Sequence, residues 1–98
     1  MGFFDRIKTA IAGEQVDYNA LIQAGALVVD VRTKSEFQSG HVKGSKNIPL
    51  QIIDKQLKAL KGKVVILVCR SGARAAQAKN MLTQHGIEAH NAGAWQNI

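Results

Sequence analysis

A single cysteine, Cys69, stands in 98 residues, together with one proline, one tryptophan and one tyrosine. One thiol cannot close an internal disulfide, so neither a disulfide framework nor an oxidising compartment is implied. A dithiol redox couple within the chain is excluded for the same reason. Metal chemistry also lacks its raw material. His41, His85 and His90 do not form a metal-ligand spacing with Cys69, and no metal site is expected. Long apolar runs are missing: nothing approaches the roughly 18 residues needed to cross a bilayer. The opening MGFFDRIKTAIAG has no apolar core of signal-peptide type. Its Gly2 would suit myristoylation, but Arg6 occupies the place where that pattern wants Ser or Thr. A cytoplasmic protein is the resulting expectation. Acids are scarce, with 7 Asp and Glu against 13 Lys and Arg, and the formal net charge of +6 favours anionic partners. Aromatics make up only 5% of residues and the basic residues form no run. Base stacking therefore has little support, and no nucleic-acid partner is expected.

What is present suits one globular domain. The hydrophobic fraction is 46%, and the length allows one core and not two. Residues 1–13 read as an N-terminal arm or short amphipathic helix, with Phe3, Phe4, Ile7 and Ile11 on one face and Gly13 at its end. Packing of this arm on the domain is preferred over membrane contact. Residues 14–98 read as the domain itself. A short helix is expected in VDYNALIQAG, with Asp17 as N-cap and Gly25 just past the end. ALVVDV (Ala26 to Val31) and VVILV (Val64 to Val68) are short apolar runs of the kind that form parallel strands buried on both faces. Between them, Thr33 to Glu36 has the spacing of a capping box, residues 39–50 look like loop, and Gln51 to Leu60 repeats at helical spacing. The Ala-rich stretch from Ala73, closed by Gly86, is the strongest helix signal. IEAHN suggests an edge strand, and AGAWQNI a turn and tail. Strands alternating with helices predict an α/β fold: a central parallel sheet flanked by helices on both faces. Sites in such sheets form at the carboxyl ends of strands, where Asp30, Arg32 and Cys69 all fall.

Cys69 closes an apolar run and is followed at once by Arg70, Ser71, Gly72, Ala73 and Arg74, which lead into that helix. A free cysteine after a buried strand is often only a small core hydrophobe. Here its neighbours favour a thiolate. Unpaired N–H groups at a helix start point back at the sulfur, Gly72 permits a sharp bend, and two arginines add charge. A thiolate in an anion-binding cup suits covalent attack on an anionic electrophile, either a phosphate ester or a sulfur anion such as thiosulfate.

Three pieces in order, VVDVRTKSEFQSGHVKGSKNIP (Val28 to Pro49), VCRSGARA (Val68 to Ala75) and NAGAW (Asn91 to Trp95), resemble the single-domain rhodaneses, the thiosulfate sulfurtransferases. The resemblance runs from about Val16 to the end. It implies a rhodanese-like α/β fold and a persulfide mechanism without cofactor or metal. Cys69 would carry the sulfur, residues 70–74 would hold it with backbone N–H groups, and the partners would be a small anionic donor and a thiophilic acceptor. That acceptor is cyanide, a thiol or a protein in a sulfur relay. Related phosphatases have a C-x5-R loop, whereas Cys69 to Arg74 is C-x4-R, which favours sulfur over phosphate. A non-catalytic binding module and phosphatase or arsenate-reductase action are the competing readings.

Individual roles follow from the same resemblance. Arg70 is expected at the pocket mouth. Ser71 either donates to the persulfide or eases the turn, and Gly72 is conformational. Arg74 either binds substrate or braces the loop through a carboxylate. Asp30 and Arg32 are expected to be structural, Asp30 accepting from loop groups and Arg32 pairing with a carboxylate. Glu36 is a candidate partner for Arg32, although the capping-box reading competes for it. His41 is expected to be a structural hydrogen-bonder, and Trp95 to pack near the pocket rim.

Overall fold

The computed structural model describes residues 16–98. The arm expected over residues 1–13 lies outside them. Four parallel strands form one sheet in the order β2-β1-β3-β4: β1 (Leu27–Asp30), β2 (Lys46–Asn47), β3 (Val65–Cys69) and β4 (Ala89–Ala94). The α-helices are α1 (Tyr18–Gln23), α2 (Lys34–Gln38), α3 (Leu57–Leu60) and α4 (Ala73–Gln84).

Alternation along the central strands divides the core in two. Val29, Val31, Val65, Leu67 and Cys69 face Ala75, Ala78 and Leu82 of α4, together with Ile53 and Leu60. Val28, Ile66 and Val68 face the other way, against Tyr18, Leu21 and Ile22 of α1. All five residues of β3 are buried, which is why VVILV reads as one apolar run with no polar face. The domain is therefore an α/β sandwich of helix, sheet and helix, as the alternating pattern predicts.

Local signals acted where the chain chemistry is explicit. Asp17 caps α1 by accepting from the Ala20 N–H at 3.0 Å. Thr33 and Glu36 form a reciprocal capping box on α2. Three elements differ from the sequence expectation. Residues 46–47, read as loop, pair with β1 as a strand too short to carry a periodic pattern. Gln51 to Leu60, read as one helix, is a 3-10 helix over Leu50–Gln56 followed by α3. Leu50 and Ile53 are three residues apart, the repeat of the tighter helix, and both reach the core. The last strand, expected at residues 87–91, continues to Ala94 through a β-bulge. Leu67 pairs with Asn91 and Val68 with Gly93, so Ala92 is the additional residue.

Candidate active site

The register brings the carboxyl ends of β1, β3 and β4 into one row: Asp30 pairs with Val68, and Cys69 with Ala94. Cys69 is the last residue of β3, and its side chain lies on the α4 face, 1% exposed. The loop beyond it folds back so that the Gly72 N–H donates to Sγ at 2.9 Å and the Ala75 N–H at 3.4 Å. Ala75 occupies the third position of α4, whose N-cap, Gly72, has no side chain to satisfy that turn. The sulfur therefore takes the place of a capping oxygen, at the positive end of the helix dipole.

Gly72 adopts φ +108°, a conformation that side-chain-bearing residues rarely reach. Space is not the restriction: a Cβ there would meet Gly93 Cα at an ordinary 3.5 Å. Gly72→Ala should therefore cost about 1–2 kcal/mol through the backbone alone, read as a lower urea midpoint with unchanged slope. Stability equal to the parent protein would show that the loop accommodates the change in another conformation.

Burial pushes the Cys69 thiol up, but the N–H groups of Ala75, Gly72, Ser71 and Arg74 outweigh it and hold the thiol below its ordinary value of 9.0. The cup is thus made of backbone, as expected for residues 70–74. Arg70, Ser71 and Ala73 are exposed in it. Arg74 braces the loop through a carboxylate. Its guanidinium meets Glu36 with two hydrogen bonds, at 2.7 and 3.1 Å. That contact, with the Thr33 N–H, draws the Glu36 carboxyl down to about 2. The contribution of this ion pair to stability is complete above the usual carboxylate range and is lost progressively as pH falls from there through about 2. The brace ties the cysteine loop to α2 at all ordinary pH values.

The supporting residues are arranged differently from the expectation. Asp30 accepts from the backbone N, Nε and Nη2 of Arg32, with the shortest contact at 2.7 Å, and from no group of the cysteine loop. Two residues apart at a strand end, the two side chains lie on one side, so the local partner wins. Arg32 in turn does not reach Glu36, which Arg74 and the capping box occupy. Its Nη2 also donates to the Gly40 carbonyl at 2.7 Å, and its guanidinium carbon lies 5.0 Å from the centre of the Trp95 ring. Trp95 packs so closely on Gly40 that a Cβ there would meet its ring at 3.1 Å. His41 bonds the Phe37 carbonyl through Nδ1 at 2.7 Å and stacks on the Phe37 ring. Among the described residues, no three His, Cys, Asp or Glu side chains group as a metal site requires. None of the helices there is long and apolar enough to cross a membrane.

Sequence reasoning missed two asparagines. Asn47 donates to the carbonyls of Asp30 and Arg32, both at 3.0 Å. Asn91 donates to the Gly72 carbonyl, also at 3.0 Å. Neither stands in a pattern with a period, so only the sheet register reveals them.

Comparison with known proteins bears on the family and the fold. The thiosulfate sulfurtransferase PspE of Escherichia coli is 32% identical over 74 residues, covering 71% of each chain. A sulfurtransferase of Allochromatium vinosum is 36% identical over 61 residues, 61% of this chain and 57% of that one. A solved rhodanese with anions from E. coli superposes with a TM-score of 0.69 at 29% identity, over 76% of this chain and 92% of that chain. The family model for the rhodanese-like domain matches residues 14–96, which takes in the strand end, the cysteine loop and the β4 bulge alike, and the chain belongs to that family.

Proposed function

We propose that this chain is a sulfurtransferase that moves a sulfane sulfur through a persulfide on Cys69. The observation that carries the reading is the Cys69 sulfur held by two backbone N–H groups at a helix start. The donor is a small sulfur anion such as thiosulfate. The Cys69 thiolate attacks its outer sulfur, the donor S–S bond breaks, and sulfite leaves with the bonding pair. A thiophilic acceptor, cyanide or a thiol, then attacks the terminal sulfur of the persulfide. Thiocyanate or a new persulfide departs, and the thiolate is restored without net oxidation. A thiol presented by a partner protein fits the same second step.

The N–H cup has two tasks in this scheme. It favours the ionised form of the resting sulfur, and it offers donors to the extra sulfur, whose negative charge develops nearby. Exposed Arg70 is the loop cation left to attract the donor anion, because Arg74 is committed to Glu36. That commitment also counts against phosphatase or arsenate-reductase action, which needs a guanidinium free to hold an oxyanion.

The deciding experiment is intact mass after incubation with thiosulfate, repeated after cyanide. One added sulfur, removed by cyanide and absent from Cys69→Ala, is the expected result. No adduct with thiosulfate or with a persulfide donor would overturn the proposal. Hydrolysis of an aryl phosphate would replace it with the phosphatase reading, and neither activity would leave a binding module.

A further inference from the structure

The proposed reaction requires Gly72 to present its N–H to the sulfur, yet a glycine has no side chain to restrain its torsions. The restraint must come from its neighbours. The Gly72 carbonyl accepts two hydrogen bonds. One is from the Ala76 N–H at 2.9 Å, which is the first bond of α4 itself. The other comes from the sheet: Asn91 Nδ2, at 3.0 Å.

Asn91 is itself held on both sides. Its Oδ1 accepts from the Gly93 N–H at 2.8 Å, across the bulge. Its backbone carbonyl accepts from the Tyr18 hydroxyl at 3.3 Å, which ties it to α1. Gly93 makes this turn with φ +80°. Asn91 and Gly93 also lie against Gly72 itself, as a Cβ placed on Gly72 would meet Gly93 Cα at 3.5 Å and the Asn91 amide at 3.8 and 3.9 Å. The amide is thus oriented by one hydrogen bond and spends its donor on the residue that contacts the sulfur. The carbonyl and the N–H of Gly72 are separated only by its own two torsions, so fixing the first limits the second.

We infer that Asn91 is a positioning residue for Cys69: anchored at the β4 bulge, its amide holds Gly72 so that the Gly72 N–H meets Sγ. The inference rests on Cys69 being the sulfur carrier. It assigns the bulge a purpose, since the bulge bond to Gly93 is what aims the Asn91 donor at Gly72.

The test compares Asn91→Ala with a matched control, Asn47→Ala. Both remove an edge-strand amide that donates to backbone carbonyl oxygen at the carboxyl edge of the sheet, but the Asn47 amide donates to Asp30 and Arg32 and not to the cysteine loop. Three quantities are read: the thiolate titration midpoint of Cys69 by ultraviolet absorbance, the rate of sulfur uptake from thiosulfate against pH, and the melting temperature. Asn91→Ala should raise the midpoint by about half a pH unit or more, roughly a threefold loss of thiolate below it. Sulfur uptake should fall by the same factor at low pH and recover at high pH. Asn47→Ala should lower the melting temperature and leave the midpoint where it was.

An unchanged midpoint in folded Asn91→Ala, or an equal shift in Asn47→Ala, would overturn the inference and leave Asn91 a structural residue. Should Asn91→Ala fail to fold, Asn91→Ser keeps a polar group at the bulge while being too short to reach the Gly72 carbonyl, and the same criterion applies. If the parent protein takes up no sulfur at all, the proposed reaction falls, while the titration still decides what Asn91 does.

Discussion

Replacing Asp30 with alanine should remove about 3–5 kcal/mol of folding stability, because it leaves a buried guanidinium without its counter-charge. Asp30 is 0% exposed and Arg32 only 5%. Between them run a bidentate ion pair and a bond from the Arg32 backbone N–H. Among the described residues, every buried side-chain nitrogen and oxygen has a partner, so the pair has no slack to absorb a loss. With Asp30 gone, Arg32 would retain the Gly40 carbonyl and the Trp95 face, neither of which carries negative charge. A domain of this size has about 5–15 kcal/mol in total, so the variant should be partly unfolded near body temperature. Urea denaturation measures the loss. The double variant Asp30→Ala/Arg32→Leu should recover part of it, since an apolar replacement of both partners removes the uncompensated charge. A single variant within about 1 kcal/mol of the parent, the range of a surface ion pair, would mean that water reaches Arg32. This prediction concerns stability and does not depend on sulfur chemistry.

The same pair marks the limit of what could be read before the structure. The strands were legible because burial on both faces writes a continuous apolar run, as in Val64 to Val68. The cysteine loop was legible because its parts are contiguous: strand end, glycine, helix start. Contacts across the sequence were not legible to the same degree. The sequence puts Asp30 and Arg32 at a strand end, Glu36 in a capping box and Arg74 in the cysteine loop, but which carboxylate meets which guanidinium depends on side-chain reach. Arg32 takes Asp30, two residues away, and Arg74 takes Glu36, 38 positions distant. A capping box and an ion pair were weighed as rivals for Glu36. The two oxygens of its carboxylate let it serve both, Oε1 meeting Thr33 and Arg74 while Oε2 meets Arg74 alone. The bulge at Ala92 was hidden for a different reason. A single additional alanine between asparagine and glycine leaves no trace in hydrophobic alternation.

These pairings place the cysteine loop between two supports. Arg74 fastens its helical side to α2 through Glu36, and Asn91 fastens its turn to β4 through Gly72. The sulfur lies between them. Charge and geometry are therefore divided: backbone dipoles from Gly72 and Ala75 act on the thiolate directly, while the side chains hold those dipoles in place. Such a division suits the reaction proposed above, in which the group exists both as a thiolate and as a longer persulfide. Rigid donors need no reorganisation as the negative charge moves outward by one sulfur.

If sulfur moves through Cys69 as proposed, replacing Cys69 with serine should reduce the transfer by roughly 10³-fold or more, to the uncatalysed level, because a hydroxyl cannot form the persulfide on which both proposed half-reactions depend. The fold should survive, since the substitution is nearly isosteric and the Gly72 and Ala75 N–H groups can donate to Oγ as they do to Sγ. A folded and inactive variant, by circular dichroism and by thiocyanate formation, is the expected pair of results. In the parent protein the pH dependence should report the same atom. The N–H groups of Ala75, Gly72, Ser71 and Arg74 overcome the upward push of burial and hold the thiol below 9.0. The rate of iodoacetamide alkylation should thus reach its plateau at lower pH than for a free cysteine, and fall as pH drops through that depressed midpoint. Unfolding in urea should move the midpoint back up, because the donors belong to the folded loop. The sign for stability follows: the ionised sulfur adds to folding fully above its unfolded value, and loses that contribution as pH falls through the folded one. A midpoint at or above 9.0 in the folded protein would mean that burial outweighs the cup, and Cys69 would then be a core residue after all.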